Sequence, residues 1–89
     1  MTARYTVVLS KLAQERFERF LRAGRNIGKQ IAKAIDRLAR HPELGEFLKG
    51  EWKGYRKYRT GQYRIVYRVE HVRLLIYIIT MDDRKDVYR

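Results

Sequence analysis

Apolar residues recur at two different periods along this chain, and the change from one to the other falls at its single proline, Pro42. Before it, Leu12, Ala13, Phe17, Phe20 and Leu21 are spaced as one face of a helix, with Lys11, Glu15, Arg16, Glu18 and Arg19 on the wetter side. Ile27, Ile31, Ala34, Ile35 and Leu38 form a second helical stripe, with Lys29, Lys33, Arg37 and Arg40 outside it. Ser10 is placed to cap the first helix and Gly24 to end it, and Asn26 can cap the second. Pro42 stops that helix, because the residue before a proline resists the α region. After Pro42 the pattern is strand-like. Residues 55–59 and 63–69 alternate across the turn Thr60-Gly61-Gln62, and 74–80 is apolar on both faces, as a central strand would be.

A short β-rich run at 5–9 precedes the helices, and 42–54 reads as a connector anchored by Leu44, Phe47, Leu48 and Trp52. The order is therefore β-α-α-β-β-β. Helices and strands in separate blocks predict an α+β domain: a small antiparallel sheet with an N-terminal helical hairpin packed on one face. The 89 residues make one domain, 1–89. No cysteine is present, so disulfides, thiolate metal sites and thiol nucleophiles are excluded. The longest apolar run, 74–79, is far short of the roughly 20 residues a membrane span needs. A cytoplasmic protein is the expectation.

Charge narrows the function. Lys and Arg number 21 against 10 Asp and Glu, a net charge of +11. Such a surplus on a small domain predicts a polyanionic or acidic partner, with a merely solvated basic surface as the plain alternative. The placement of the charges is more informative than their number. Between Trp52 and Val69 there is no acid, but there are Lys53, Arg56, Lys57, Arg59, Arg64 and Arg68. If the turn closes with Arg59 opposite Arg64, then Lys57 lies opposite Val66 and Tyr58 opposite Ile65. Tyr58, Ile65, Tyr67 and Val69 then face the core, and Lys57, Arg59, Arg64 and Arg68 face the other way. Like charges directly opposite one another destabilise a strand pair, so a cationic sheet face points to an anion that neutralises it. Aromatics run through the same region, and an exposed ring there can stack on a base.

The string 54–68, GYRKYRTGQYRIVYR, resembles the central hairpin of the RelE/ParE toxin superfamily. The ending Arg84-Lys85-Asp86-Val87-Tyr88 is similar to its closing basic-x-x-Val-Tyr motif. The segment Leu38…His41-Pro42-Glu43-Leu44-Gly45…Leu48-Lys49-Gly50 looks like its helix exit. The resemblance spans nearly the whole chain. It implies a toxin of a type II toxin–antitoxin system, restrained by a cognate antitoxin protein. In the RNA-cutting branch, it further implies an endoribonuclease that cleaves mRNA in the ribosomal A site. There the 2′-hydroxyl of the RNA attacks the adjacent phosphate, with no metal and no other cofactor. By position, Lys57 and Arg59 match the two basic strand residues, Arg64 the Tyr-Arg arginine, Arg84 the late catalytic arginine and Tyr88 the terminal tyrosine. Arg40, Lys53, Arg56, Arg68 and Lys85 are the expected further contacts to RNA.

The chemistry agrees with such a set. The phosphorane transition state is dianionic, and fixed cations lower its energy. Arginine forks fit phosphate bidentately. Arg84 is expected at the leaving 5′-oxygen and Tyr88 against a base. Arg59 stands where some relatives carry lysine, and arginine keeps its proton, so it is a poor base. Either Lys57 with a depressed pKa takes the 2′-hydroxyl proton, or Arg59 acts only electrostatically and catalysis leans on alignment. Asp82 and Asp83, where the family often has a glycine and a basic residue, are placed to pair with Arg84. The histidines build no site: His41 precedes Pro42 at a helix end, where it complements the helix dipole, and His71 sits in a turn. Two other functions remain open: a gyrase poison of the ParE branch, and a basic nucleic-acid-binding module without catalysis.

Overall fold

The computed structural model describes residues 4–83. Arg84, Lys85 and Tyr88 lie outside the described residues. Strand β1 (Thr6–Leu9) leads into helix α1 (Lys11–Ala23) and helix α2 (Arg25–Arg40). A turn of 3-10 helix (Pro42–Leu44), a two-residue strand β2 (Glu46–Phe47) and a second 3-10 turn (Gly50–Trp52) follow. Strands β3 (Arg56–Thr60), β4 (Tyr63–Glu70) and β5 (Leu75–Asp83) complete a five-stranded sheet in the order β1-β5-β4-β3-β2. No helix among the described residues is long and apolar enough to cross a membrane.

The α+β architecture with a helical hairpin on one sheet face is as expected, with two differences in the sheet. It is mixed, because β1 pairs parallel with β5, in the register Thr6↔Leu75 through Leu9↔Ile78; the other pairs are antiparallel. The connector also contributes a strand, β2, so the order is β-α-α-β-β-β-β. The helical hairpin fits the parallel pairing: the chain leaves β1, runs out and back through α1 and α2, re-enters at the opposite edge of the sheet as β2, and meanders back through β3 and β4 to lay β5 beside β1.

Local signals explain most boundaries. The Ser10 hydroxyl accepts a hydrogen bond from the Ala13 amide, as an N-cap does, and donates one to the Ile79 carbonyl at 2.5 Å. It thereby ties the start of α1 to β5. Asn26 does not cap α2. Gly24 stands between the helices as the last cap of one and the first of the other, and Asn26 falls inside α2. Gly61 adopts φ 62°, and the two-residue turn Gly61-Gln62 closes β3 on β4. A glycine at the first position of such a turn gives the backbone twist that two paired strands need.

The core lies between the helices and one sheet face. Ala13, Phe20, Ile31, Ala34 and Leu38 meet Tyr63, Ile65, Tyr67, Ile76, Ile78 and Met81, with Tyr58 and Val69 packed at its margin. Tyr67 is its polar pivot. It is fully buried, its hydroxyl donates to the Pro42 carbonyl at 2.7 Å, and it accepts from the Gly45 amide at 2.8 Å. The connector comes so close that a Cβ on residue 45 would stand 2.5 Å from that hydroxyl and 2.9 Å from the Lys57 carbonyl, which leaves room only for glycine. Burial raises the Tyr67 pKa above its ordinary value. The stability Tyr67 lends is therefore complete below about pH 10 and is lost as pH climbs through the raised value. Tyr67→Phe is expected to cost about 1–3 kcal/mol, because it orphans a buried amide and carbonyl at once. Urea unfolding checks this. An unchanged midpoint would mean that the connector is held by other contacts.

Candidate nucleic-acid interface

The inferred hairpin register holds residue for residue: Arg59↔Arg64, Tyr58↔Ile65 and Lys57↔Val66. Lys57, Arg59, Arg64 and Arg68 therefore lie on the sheet face away from the helices. On β5 the same face carries Asp82, Thr80 and Tyr77, opposite Arg64, Val66 and Arg68. The pairing slips between Val66↔Thr80 and Tyr67↔Ile78, leaving Ile79 as the extra residue of a bulge. Bulges bend a strand and sharpen its twist, so this one re-aims Thr80 and Asp82 beside Arg64.

The connector turns this face into a cleft. Leu48 and Trp52 fold over Val66, which is nearly buried although it points away from the helices. Lys57, Arg64, Val66, Thr80 and Asp82 line the resulting cavity of about 230 Å³, with Leu48 and Trp52 as its wall. Lys57 is shared with a neighbouring cavity of about 280 Å³ that adds Glu46 and Arg59. Trp52 remains 48 % exposed at the lip, edge-on to Tyr55, and Arg68 lies over the Tyr55 ring at 5.9 Å.

The cations of the cleft are left uncompensated. Among the described residues, ion pairs join Arg4 and Arg40 to Asp36, Arg16 to Asp82 and Arg73 to Glu70, and the His41 ring stands 3.9 Å from the Glu43 carboxylate. None reaches Lys57, Arg59, Arg64 or Arg68. The Arg64 Nε is also buried without a hydrogen-bond partner. Buried donors are normally paired, and one left open in a cationic cleft marks a place for an anion.

The other sequence-predicted contacts divide. Lys53 lies in a separate groove of the connector, beside exposed Phe47, which shares only Leu48 with the cleft. Arg56 points to the opposite side of β3, where its guanidinium donates to the Gly45 carbonyl at 2.7 Å and lies 3.8 Å over the Phe47 ring. It braces the connector. Arg40 lies on the helical layer, beside Lys33, Arg37 and His41 in a separate groove. Asp82 is engaged by Arg16, and the Asp83 carboxylate accepts from Gln62 at 3.2 Å. The residue that sequence reasoning passed over is Glu46. It is the cross-strand partner of Lys57, on the cleft side of β2. Its only sequence signal was a carboxylate shortly before an acid-free cationic run.

The family model for the ParE toxin of the type II toxin–antitoxin system parDE matches residues 7–88. The chain belongs to that family. Solved structures place this toxin in the wider RelE/YoeB/ParE group. It is 27% identical to a chain of the RelBE2 toxin–antitoxin complex from Mycobacterium tuberculosis, at a TM-score of 0.78, covering 91% of this chain and 99% of that one. It is 28% identical to the YoeB/ParE toxin from Agrobacterium tumefaciens, at a TM-score of 0.77, covering 88% and 96%. The YoeB–YefM complex from Staphylococcus aureus gives 26% identity and a TM-score of 0.74, covering 90% and 97%. Comparison with curated protein sequences finds no match.

Proposed function

We propose that this toxin is an endoribonuclease that cuts mRNA on the ribosome, in the cytoplasm, and so blocks translation. The observation that carries the reading is the cluster of Lys57, Arg59 and Arg64 around the cleft and its neighbouring cavity, with no acid in an ion pair with them among the described residues and one buried guanidinium nitrogen left open. A phosphodiester supplies the missing charge. Trp52, half-exposed on the lip, offers a ring to an adjoining base, a contact worth about 1–3 kcal/mol.

In this reading the 2′-oxygen of one nucleotide attacks its own 3′-phosphorus, and the bond from phosphorus to the 5′-oxygen of the next nucleotide breaks. The products are a 2′,3′-cyclic phosphate and a 5′-hydroxyl. Arg64 and Lys57 hold the phosphorane oxygens, and Arg59 adds field from the neighbouring cavity. The 2′-hydroxyl proton passes to Glu46, a carboxylate next to Lys57 and a far better base than a guanidinium, or to Lys57 itself. Arg84 protonates or shields the leaving 5′-oxygen and Tyr88 stacks on a base, as the family resemblance implies. No metal is required. Lys53, Arg68 and Lys85 extend the track for the RNA backbone.

The partner that restrains the toxin is a cognate antitoxin, as in the RelBE2 and YoeB–YefM complexes. An acidic segment of that antitoxin is expected to cover the cationic cleft and close access to it. The deciding experiment is incubation of the purified toxin with ribosomes programmed with mRNA, with and without EDTA, beside a gyrase supercoiling assay. Cleavage in both RNA reactions and unimpaired supercoiling support the reading. Intact mRNA with inhibited gyrase would overturn it in favour of the gyrase-poison branch.

A further inference from the structure

One ion pair in this molecule runs against the local register. Arg64 and Asp82 are direct cross-strand partners on the same face of β4 and β5, and both line the same cavity. Opposite charges so placed ordinarily pair. Here they do not. The Asp82 carboxylate is held by the guanidinium of Arg16, which reaches it from α1, and Arg64 keeps a buried Nε with no partner.

The topology explains how Arg16 gets there. Strand β1 covers the outer edge of β5 only as far as Leu9↔Ile78, so the edge beyond the Ile79 bulge is left to α1. Ser10 fixes the start of α1 to the Ile79 carbonyl, and Arg16 follows on the second turn. Both partners of the pair are mostly shielded, with side chains 30% and 18% exposed, so solvent competes weakly for the carboxylate.

We propose that Arg16 is a positioning residue for the cleft: by holding Asp82 it keeps that carboxylate off Arg64 and leaves the Arg64 guanidinium free for an RNA phosphate. The catalytic consequence rests on the endoribonuclease reading; the handover of Asp82 does not. Without Arg16, Asp82 turns to the nearest cation on its own face, which is Arg64, and an internal carboxylate then occupies the phosphate's place.

Two readouts on the purified toxin test this in Arg16→Ala, in Arg16→Gln and in Arg16→Ala combined with Asp82→Asn. The first is the Arg64 Nε–H signal in ¹⁵N-labelled protein, assigned by its loss in Arg64→Lys. It should move and become protected from solvent exchange in both Arg16 single variants, and revert in the double variant. The second is single-turnover cleavage of ribosome-bound mRNA. It should fall by at least about tenfold in the single variants, within the hundred- to thousandfold bound set by losing one transition-state donor, and recover in the double variant. Recovery separates the proposal from a purely structural ion pair, since deleting the second half of a structural pair restores nothing. An Arg64 signal unmoved in both Arg16 single variants, or a double variant as slow as Arg16→Ala, would overturn it. A moved signal in a toxin that cuts no RNA would uphold the handover and refute the endoribonuclease reading instead.

Discussion

Arg64→Ala is expected to slow mRNA cleavage by roughly a hundred- to a thousandfold, the usual cost of removing one preorganised donor from a developing oxyanion. Arg64 lines the cleft from the face opposite the core, so its loss removes no helix-packing contact. The Asp82 carboxylate keeps Arg16 as its partner in the variant, so no buried charge is orphaned. Circular dichroism and the thermal midpoint should therefore stay close to those of the unsubstituted toxin while single-turnover cleavage collapses. Arg84→Ala, in the closing motif, should cut the rate by a similar factor, with less effect on RNA affinity. Tyr88→Phe should be milder than Tyr88→Ala if the ring stacks; equal, severe losses would assign the hydroxyl to proton transfer. A cleavage rate unchanged in Arg64→Ala would remove the cleft from the chemistry.

Binding should be nearly as sensitive to salt as catalysis is to Arg64. Lys57, Arg59, Arg64 and Arg68 lie on the cleft face and Lys53 in the adjoining connector groove, and none of them is in an acidic ion pair among the described residues. If about five phosphates are neutralised on single-stranded RNA, the logarithm of affinity falls with a slope near −3.5 against log salt, about a hundredfold between 50 and 200 mM. Fluorescence anisotropy with a short RNA carrying a 2′-deoxy nucleotide at the scissile position measures this without cleavage. An affinity indifferent to salt would mean that phosphates do not bind to this surface.

Local pattern carried the sequence reading a long way and failed where pairing is non-local. Side-chain alternation fixes the parity that buries Tyr58, Ile65 and Tyr67 together, and the tight turn at Gly61 selects the register, so the cationic face could be read residue by residue. Nothing in 5–9 and 74–80 says that these runs meet in parallel, because that pairing is set by the path of the helical hairpin between them. Glu46-Phe47 is too short to show a strand period, and β2 exists because Tyr67 and Gly45 draw the connector onto the β3 edge. β5 runs on through Asp82 and Asp83, since pairing with Tyr63 and Arg64 outweighs their poor strand propensity. The same limit applies at the site. Arg56 reads as one more cation of the acid-free run, but odd and even positions of β3 face opposite ways, and Arg56 falls on the side where the Gly45 carbonyl waits. Glu46 belongs beside Lys57 only once β2 exists. The capture of Asp82 by Arg16 joins residues 66 positions apart, beyond the reach of any periodicity.

The chemical ends of the RNA test the central claim most directly. Ribosome-bound mRNA cut by the toxin in EDTA should carry a 2′,3′-cyclic phosphate on the upstream fragment and a 5′-hydroxyl on the downstream one. The same message with a single 2′-deoxy nucleotide at the cut site should stay whole. A 5′-phosphate on the downstream fragment, or cleavage of the deoxy-substituted message at the same bond, would contradict attack by the 2′-hydroxyl within this cationic cleft.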